Sequence, residues 1–365
     1  MRHRPIVILF LILISMLLAA IVAEVGLRLF LPETYLLDWH SDEYWKVKLR
    51  AELKKKGHKE ADFPEKVKKN IIYDANLGWR MKPLYQTEGV RHNSKGFRGG
   101  HEYTKQPEGI RIFTIGDSYT YGLGVYDEYT FTSLLDGMVG VEVINAGVNG
   151  YGIDQAYLMW EQEGKKLNPS IVILGYFIDD FHRNAHTVYG KPKPYFIYDK
   201  NTQNFIIKGV PVPDKMSLLE RGELELYSGL RVFRIFPWLK RGIQKRFSSN
   251  GDSGLYDYGG LLKKVQLNEY ILKSLNDSVT ESGARLLVVI IGPHIKCYEP
   301  SSEYTWVEDS IVESCRTNGI EFINLAKMMR EDTFFPSFYA QHGHWTESGH
   351  RFAAEKIADA LGLKQ

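Results

Sequence analysis

Cysteine is almost absent from this chain. Cys297 and Cys315 are the only two in 365 residues, and they form no CxxC pair and no Cys/His cluster with the spacing of a structural zinc site. A single Cys297–Cys315 disulfide is left open. An excess of one charge is missing as well: 46 lysines and arginines stand against 44 aspartates and glutamates, a net charge of +2. That is too little for a surface committed to nucleic acid, and no nucleic-acid motif occurs. Long polar or low-complexity tracts and internal repeats are absent too. With an ordinary apolar fraction, the chain can bury one substantial core and a small accessory region.

One long hydrophobic run does occur. Pro5 to Ala23 carries no charge, follows Arg2, His3 and Arg4, and is long enough to span a bilayer. Ile21-Val22-Ala23 matches a small-residue cleavage site poorly, and the run continues through Glu24 to Leu31 until Pro32 stops it. Residues 1–31 are therefore read as an uncleaved membrane anchor, and 32–109 as a juxtamembrane N-terminal extension. Arg2 and Arg4 precede the span, whereas Arg28 is outnumbered after it by Glu24, Glu33, Asp38 and Asp42. This bias puts the N-terminus in the cytoplasm and the main domain in the periplasm or outside the cell. The lysines from Lys46 to Lys69 are interspersed with Glu52, Glu60, Asp62 and Glu65, and read as a solvated helical face.

From residue 110 onward, short apolar runs alternate with longer amphipathic stretches, the pattern of parallel strands joined by helices. The expected strands are Arg111 to Ile115, Val141 to Asn145, Ile171 to Tyr176, Arg285 to Ile291 and Glu321 to Leu325. Gly, Asn, Asp or Pro follows most of them, so polar loops gather at their carboxyl ends, where ligand sites of open α/β sheets form. The rhythm breaks between about 182 and 260. There Pro194 to Lys208 reads as an inserted strand–turn–strand, and Leu226 to Phe247 as an amphipathic helix.

The first of those strands leads into Gly116-Asp117-Ser118 and a short helical stretch. A hydroxyl there stands beside free N–H groups and can attack a carbonyl while they stabilise the oxyanion. A plain helix cap explains Asp and Ser equally well. The loop lacks the Gly-Lys-Ser/Thr ending of a phosphate-binding loop and does not fit a G-x-S-x-G elbow. Its companions decide: Asn145-Ala-Gly-Val-Asn-Gly150 after the second strand, Tyr176-Phe-Ile-Asp179-Asp180 after the third, and Gln341-His342-Gly343-His344-Trp345 near the C-terminus. In this order the four segments resemble the signature blocks of the SGNH/GDSL hydrolase superfamily, over roughly residues 110–362 of a domain read as 110–365, and less firmly from His92 to Arg98.

The resemblance implies a flavodoxin-like three-layer α/β/α sandwich with a parallel sheet, plus the N-terminal transmembrane helix and the inserted region. It implies Ser118 as nucleophile, His344 as general base, and an oxyanion hole from the Ser118 N–H, the Gly150 N–H and the third-block side chain, here Asp179. Two positions depart from the pattern. Asp179 stands where the family carries asparagine, and an ionised carboxylate repels an oxyanion. No carboxylate precedes the histidine, leaving Gln341 or His342 to orient its ring; Asn184 is a further amide near Asp179. His342, His344 and His350 also form an H-x-H-x5-H array, but no fourth metal ligand is evident and no metal or organic cofactor is expected. Tyr119, Tyr121, Tyr151, Tyr176 and Trp345 suit either a sugar-binding cleft or the core. The expected activity is hydrolysis of O-acyl, chiefly O-acetyl, esters of an envelope glycan. The alternatives are acyl transfer, a lipid esterase, and a glycan-binding or assembly protein with impaired catalysis.

Overall fold

A computed structural model describes residues 4–31, 70–107, 109–138, 140–189, 191–215, 258–293, 303–340 and 343–363. The lysine-rich stretch, the helix expected from Leu226 to Phe247, Cys297, Gln341 and His342 lie outside these residues. The chain divides into two units, Met1–Phe63 with Met216–Gly260, and Pro64–Lys215 with Leu261–Gln365.

In the first unit, helix α1 runs from Arg4 to Phe30. Its 21 residues from Phe10 to Phe30 are long and apolar enough to cross a membrane. They extend about 32 Å at 1.5 Å per residue, against a hydrocarbon core of roughly 30 Å. From Pro5 to Ala23 the helix carries no charge and is predominantly apolar all round, unlike an amphipathic surface helix. Glu24 and Arg28 pair at 2.6 Å one turn apart near its end.

The second unit opens with two small antiparallel pairs. These are β1 (Ile71–Asp74) with β2 (Gly78–Met81), and β3 (Gln86–Thr87) with β4 (Val90–Arg91). There follow β5 (Ile110–Gly116), α2 (Ser118–Tyr121), α3 (Phe131–Asp136), β6 (Val141–Asn145), α4 (Ile153–Gln162), β7 (Ile171–Phe177) and α5 (Asp180–Arg183). The inserted hairpin is present as β8 (Tyr195–Asp199) against β9 (Asn204–Lys208). The chain continues through α6 (Tyr258–Glu281), β10 (Arg285–Ile291), α7 (Glu303–Thr317), β11 (Glu321–Ile323), α8 (Leu325–Glu331) and α9 (Glu347–Leu361).

All five expected strands pair in one parallel sheet of order β11-β10-β7-β5-β6. Alternate residues face opposite layers. Ile112, Val143, Ile173 and Val289 pack with Phe131 of α3, Met329 of α8 and Ile357 of α9. On the other face the Phe113 ring meets Trp160 of α4, and the Tyr176 hydroxyl donates to Asn268 of α6 at 2.5 Å. Both faces are thus covered, and all seven residues of β7 are buried, as a central parallel strand requires. This is the α/β/α arrangement that the sequence resemblance implies. From β5 the chain steps one way to β6 and the other way to β7, β10 and β11. The carboxyl end of β5 is therefore the topological switch point, where a crevice opens between the diverging connections.

The segment before β5 is tied into this unit by Arg98. Its N–H donates to Asn145 O at 3.0 Å, and its guanidinium donates to Asp127, Tyr121 O, Gly122 O and Val125 O. One buried side chain thereby closes the loop that follows α2.

His350 lies in the core: its ring stacks on Phe131 and its Nδ1 accepts the Phe131 N–H at 3.3 Å. Burial, aided by the charges of Arg98 and His344, pushes its pKa down to about 3. The unfolded chain takes up this proton near pH 6.5, whereas the folded one resists, so the stabilisation is complete above pH 6.5 and is lost as pH falls toward 3. Replacing His350 by Asn is expected to flatten the fall in unfolding free energy between pH 6.5 and 4 by a few kcal/mol relative to wild type, read from urea titrations at each pH.

Candidate active site

Ser118 stands at the switch point because β5 is made to end there. Gly116 has φ +147°, and a Cβ on it would lie 2.3 Å from Thr120 Oγ1 and 2.6 Å from Gly175 O, so only glycine fits between the strand end and the turn. Asp117 caps α2 by accepting the Tyr119 N–H at 2.9 Å, and Gly122 ends the helix in the left-handed region. The helix is a single turn, which holds the Ser118 side chain at its first position.

The histidine arrives from 226 residues away. Ser118 Oγ and His344 Nε2 are 2.8 Å apart. His344 sits in a tight loop before α9, where Ala340 N–H donates to His344 O at 2.8 Å and Gly343 N–H to Ala340 O at 2.9 Å. Tyr119, next to the serine, holds this loop from the other side. Its hydroxyl donates to Gly343 O at 2.7 Å, and its ring lies 5.1 Å from the imidazole. With the proton on Nδ1, Nε2 can accept the serine proton.

Gly150 occupies a turn closed by Tyr151 N–H to Val148 O at 3.2 Å, with φ +81°. The turn is pinned to the strand end by Val148 N–H donating to Gly116 O at 3.0 Å. Trp79 Nε1–H donates to Asn149 O at 3.0 Å, and because the intervening peptide is trans, the Gly150 N–H points the opposite way. Trp79 lies outside the four motifs, and its role had no signal in the sequence beyond its being a tryptophan.

Arg183 is a second residue the motifs did not single out. Its Nη1 donates to Asp117 Oδ2 at 3.1 Å, to Asp180 Oδ1 at 2.7 Å and to Tyr151 O at 3.2 Å. Both carboxylates are fully buried. Burial pushes the Asp117 and Asp180 carboxyls up, Asp180 well above the carboxylate range, while the shared guanidinium pulls each back. Asp179, at the end of β7 and half-buried, starts α5 beside this cluster.

Burial and hydrogen bonding decide two readings that the sequence leaves open, the Asn184 amide as a replacement for the third-block donor and the place of the aromatic set. Asn184 is fully buried with its amide committed, Nδ2 donating to Asn268 Oδ1 at 2.7 Å and Oδ1 accepting the Asp154 N–H at 3.3 Å. It is not the missing oxyanion donor. Of the two readings of the aromatic set, the core one fits: Tyr119, Tyr121, Tyr151, Tyr176 and Trp345 are each at most 5 % exposed. Their hydroxyls are satisfied inside, Tyr151 on Trp79 O and Tyr121 with His92 Nε2.

No family model and no curated protein matches the chain. Among solved structures it is similar to an acetylxylan esterase from Geobacillus stearothermophilus, at 14 % identity and TM-score 0.41 over 72 % of this chain and 98 % of that one. It is also similar to an alpha/beta hydrolase enzyme from the metagenome of Lake Arreo, Spain, at 12 % identity and TM-score 0.39, covering 71 % and 97 %. A third is a lipolytic protein of the G-D-S-L family from Desulfitobacterium hafniense, at 10 % identity and TM-score 0.41, covering 69 % and 99 %.

Arg183→Met leaves two buried carboxylates without their cation and is expected to destabilise the second unit by about 3–5 kcal/mol. Adding Asp180→Asn removes one stranded carboxylate, so the double variant should unfold at higher denaturant than Arg183→Met alone. Equal midpoints for the two would show that Arg183 and Asp180 are not coupled.

Proposed function

We propose that this chain is a membrane-anchored serine esterase that removes O-acyl, chiefly O-acetyl, groups from an envelope glycan. The observation that carries the reading is the 2.8 Å contact of Ser118 Oγ with His344 Nε2 at the carboxyl end of β5. Ser118 Oγ attacks the ester carbonyl carbon while its proton passes to His344 Nε2. The tetrahedral intermediate collapses by breaking the bond to the sugar oxygen, which leaves with that proton. Water then attacks the acyl-Ser118 carbonyl, giving its proton to Nε2, and the acid departs as Ser118 is re-formed. The N–H groups of Ser118 and Gly150 are the main-chain donors to the oxyanion.

The substrate class follows from location. Helix α1 is the anchor, Arg2 and Arg4 keep its N-terminal end in the cytoplasm, and the catalytic unit works on the periplasmic or outer side, against polymers of the envelope. A sugar hydroxyl in place of water would make the same acyl-enzyme a transferase. A second reading, binding of an acylated glycan with little turnover, is favoured by Asp179, whose carboxylate occupies the amide position of the third block.

The test is turnover of p-nitrophenyl acetate and labelling by a fluorophosphonate, using the full chain in detergent. Wild type should show both, Ser118→Ala neither, and His344→Ala a loss of roughly 10²- to 10⁴-fold in kcat. Acetyl esters should turn over faster than long acyl esters; the reverse order would make it a lipid esterase. Binding of an acetylated oligosaccharide by a wild type that is neither labelled nor active would establish the second reading.

A further inference from the structure

The third donor of the oxyanion site, its one side-chain amide, is missing from the third-block position: Asp179 is a carboxylate, and the Asn184 amide is spent on Asn268 and Asp154. Asn149 is in a different state. It is 7 % exposed, yet both its Nδ2 and its Oδ1 are buried without a hydrogen-bond partner in the protein. A buried amide that meets neither of its needs is rare, and its desolvation is uncompensated unless something else completes it.

Its position says what that is. Asn149 immediately precedes Gly150, in the turn that Val148 pins to the last residue of β5. Two residues earlier, Gly147 is so close to the helix beginning at Ser118 that a Cβ would lie 2.3 Å from Tyr121 N. The Asn149 main chain is already fixed by the Trp79 indole, so the side chain is carried on a turn held in place at both ends. We propose that Asn149 Nδ2 is the third oxyanion donor, replacing the amide that the third block lacks. The ligand it takes is the anionic oxygen of a tetrahedral ester intermediate, with Oδ1 left for a water or a substrate hydroxyl. This rests on the serine-esterase reading above.

The chemistry separates this role from a structural one. Leucine is close to asparagine in shape and has no polar atoms, so Asn149→Leu removes two unmet groups. The full-length variant is expected to melt at the same temperature as wild type or higher, while kcat for p-nitrophenyl acetate falls about 100-fold and KM stays within about two-fold. The rate of fluorophosphonate labelling of Ser118 should fall in parallel. Asn149→Asp keeps the shape and loses the donor, and should show the same kcat loss; it decides the matter if the leucine variant fails to fold. Adding Asp179→Asn to either variant should restore at least about 10-fold of the lost rate, because it returns an amide to the third-block position. Wild-type kcat and labelling rate in a folded Asn149 variant would overturn the assignment while leaving Ser118 as nucleophile. A wild type that is itself neither active nor labelled would overturn the serine mechanism, and the donor role with it.

Discussion

One guanidinium between two buried carboxylates holds the candidate site together. Asp117 belongs to the turn that presents Ser118, Asp180 to the helix that follows the central strand, and Arg183 bonds both while also reaching Tyr151 O beyond the Gly150 turn. Three loops from three strands thus meet at one cation. Burial in so dry a place drives the Asp180 carboxyl well above its ordinary range; Arg183 opposes the shift and the nearby Asp117 adds to it. The geometry of the candidate site thus rests on an interaction whose desolvation cost is large.

Around this cation the protein uses backbone contacts more than side-chain reach. Gly116 lets the strand end pass within contact of Thr120, Val148 pins the neighbouring turn, and Trp79 turns one peptide plane so that its N–H faces away from the indole. The histidine loop is fixed in the same style, by main-chain bonds within it and a tyrosine hydroxyl across to it. A site assembled this way has few rotamers to freeze when a substrate enters.

Much of this was legible beforehand. Apolar runs bounded by turn residues marked all five sheet strands, with β6 and β10 at the same limits, and the inserted hairpin was written in the alternation of Tyr195 to Lys208. Strand β11 stops at Ile323, short of the expected Leu325, because Asn324 caps the next helix by accepting the Lys327 N–H. The pairing of Ser118 with His344 could be read only from the company each keeps, since no local pattern joins residues so far apart. What stayed hidden were partners defined by direction. Nothing in a sequence tells that the Trp79 indole meets Asn149 O, that Arg183 turns inward, or that Tyr119, Tyr121, Tyr151 and Tyr176 satisfy their hydroxyls in the core.

The separation of the two reacting side chains also orders events during synthesis. Ser118 is made 226 residues ahead of His344, which at ribosomal rates of 5–20 residues per second is an interval of roughly 10–45 s. Throughout that time the emerging chain carries a hydroxyl with no base beside it. The 2.8 Å contact forms only when the loop before α9 docks against Tyr119, after the whole sheet has been made. The pair is a mark of the finished fold: a chain cut anywhere ahead of that loop lacks it, however much of the sheet has been built.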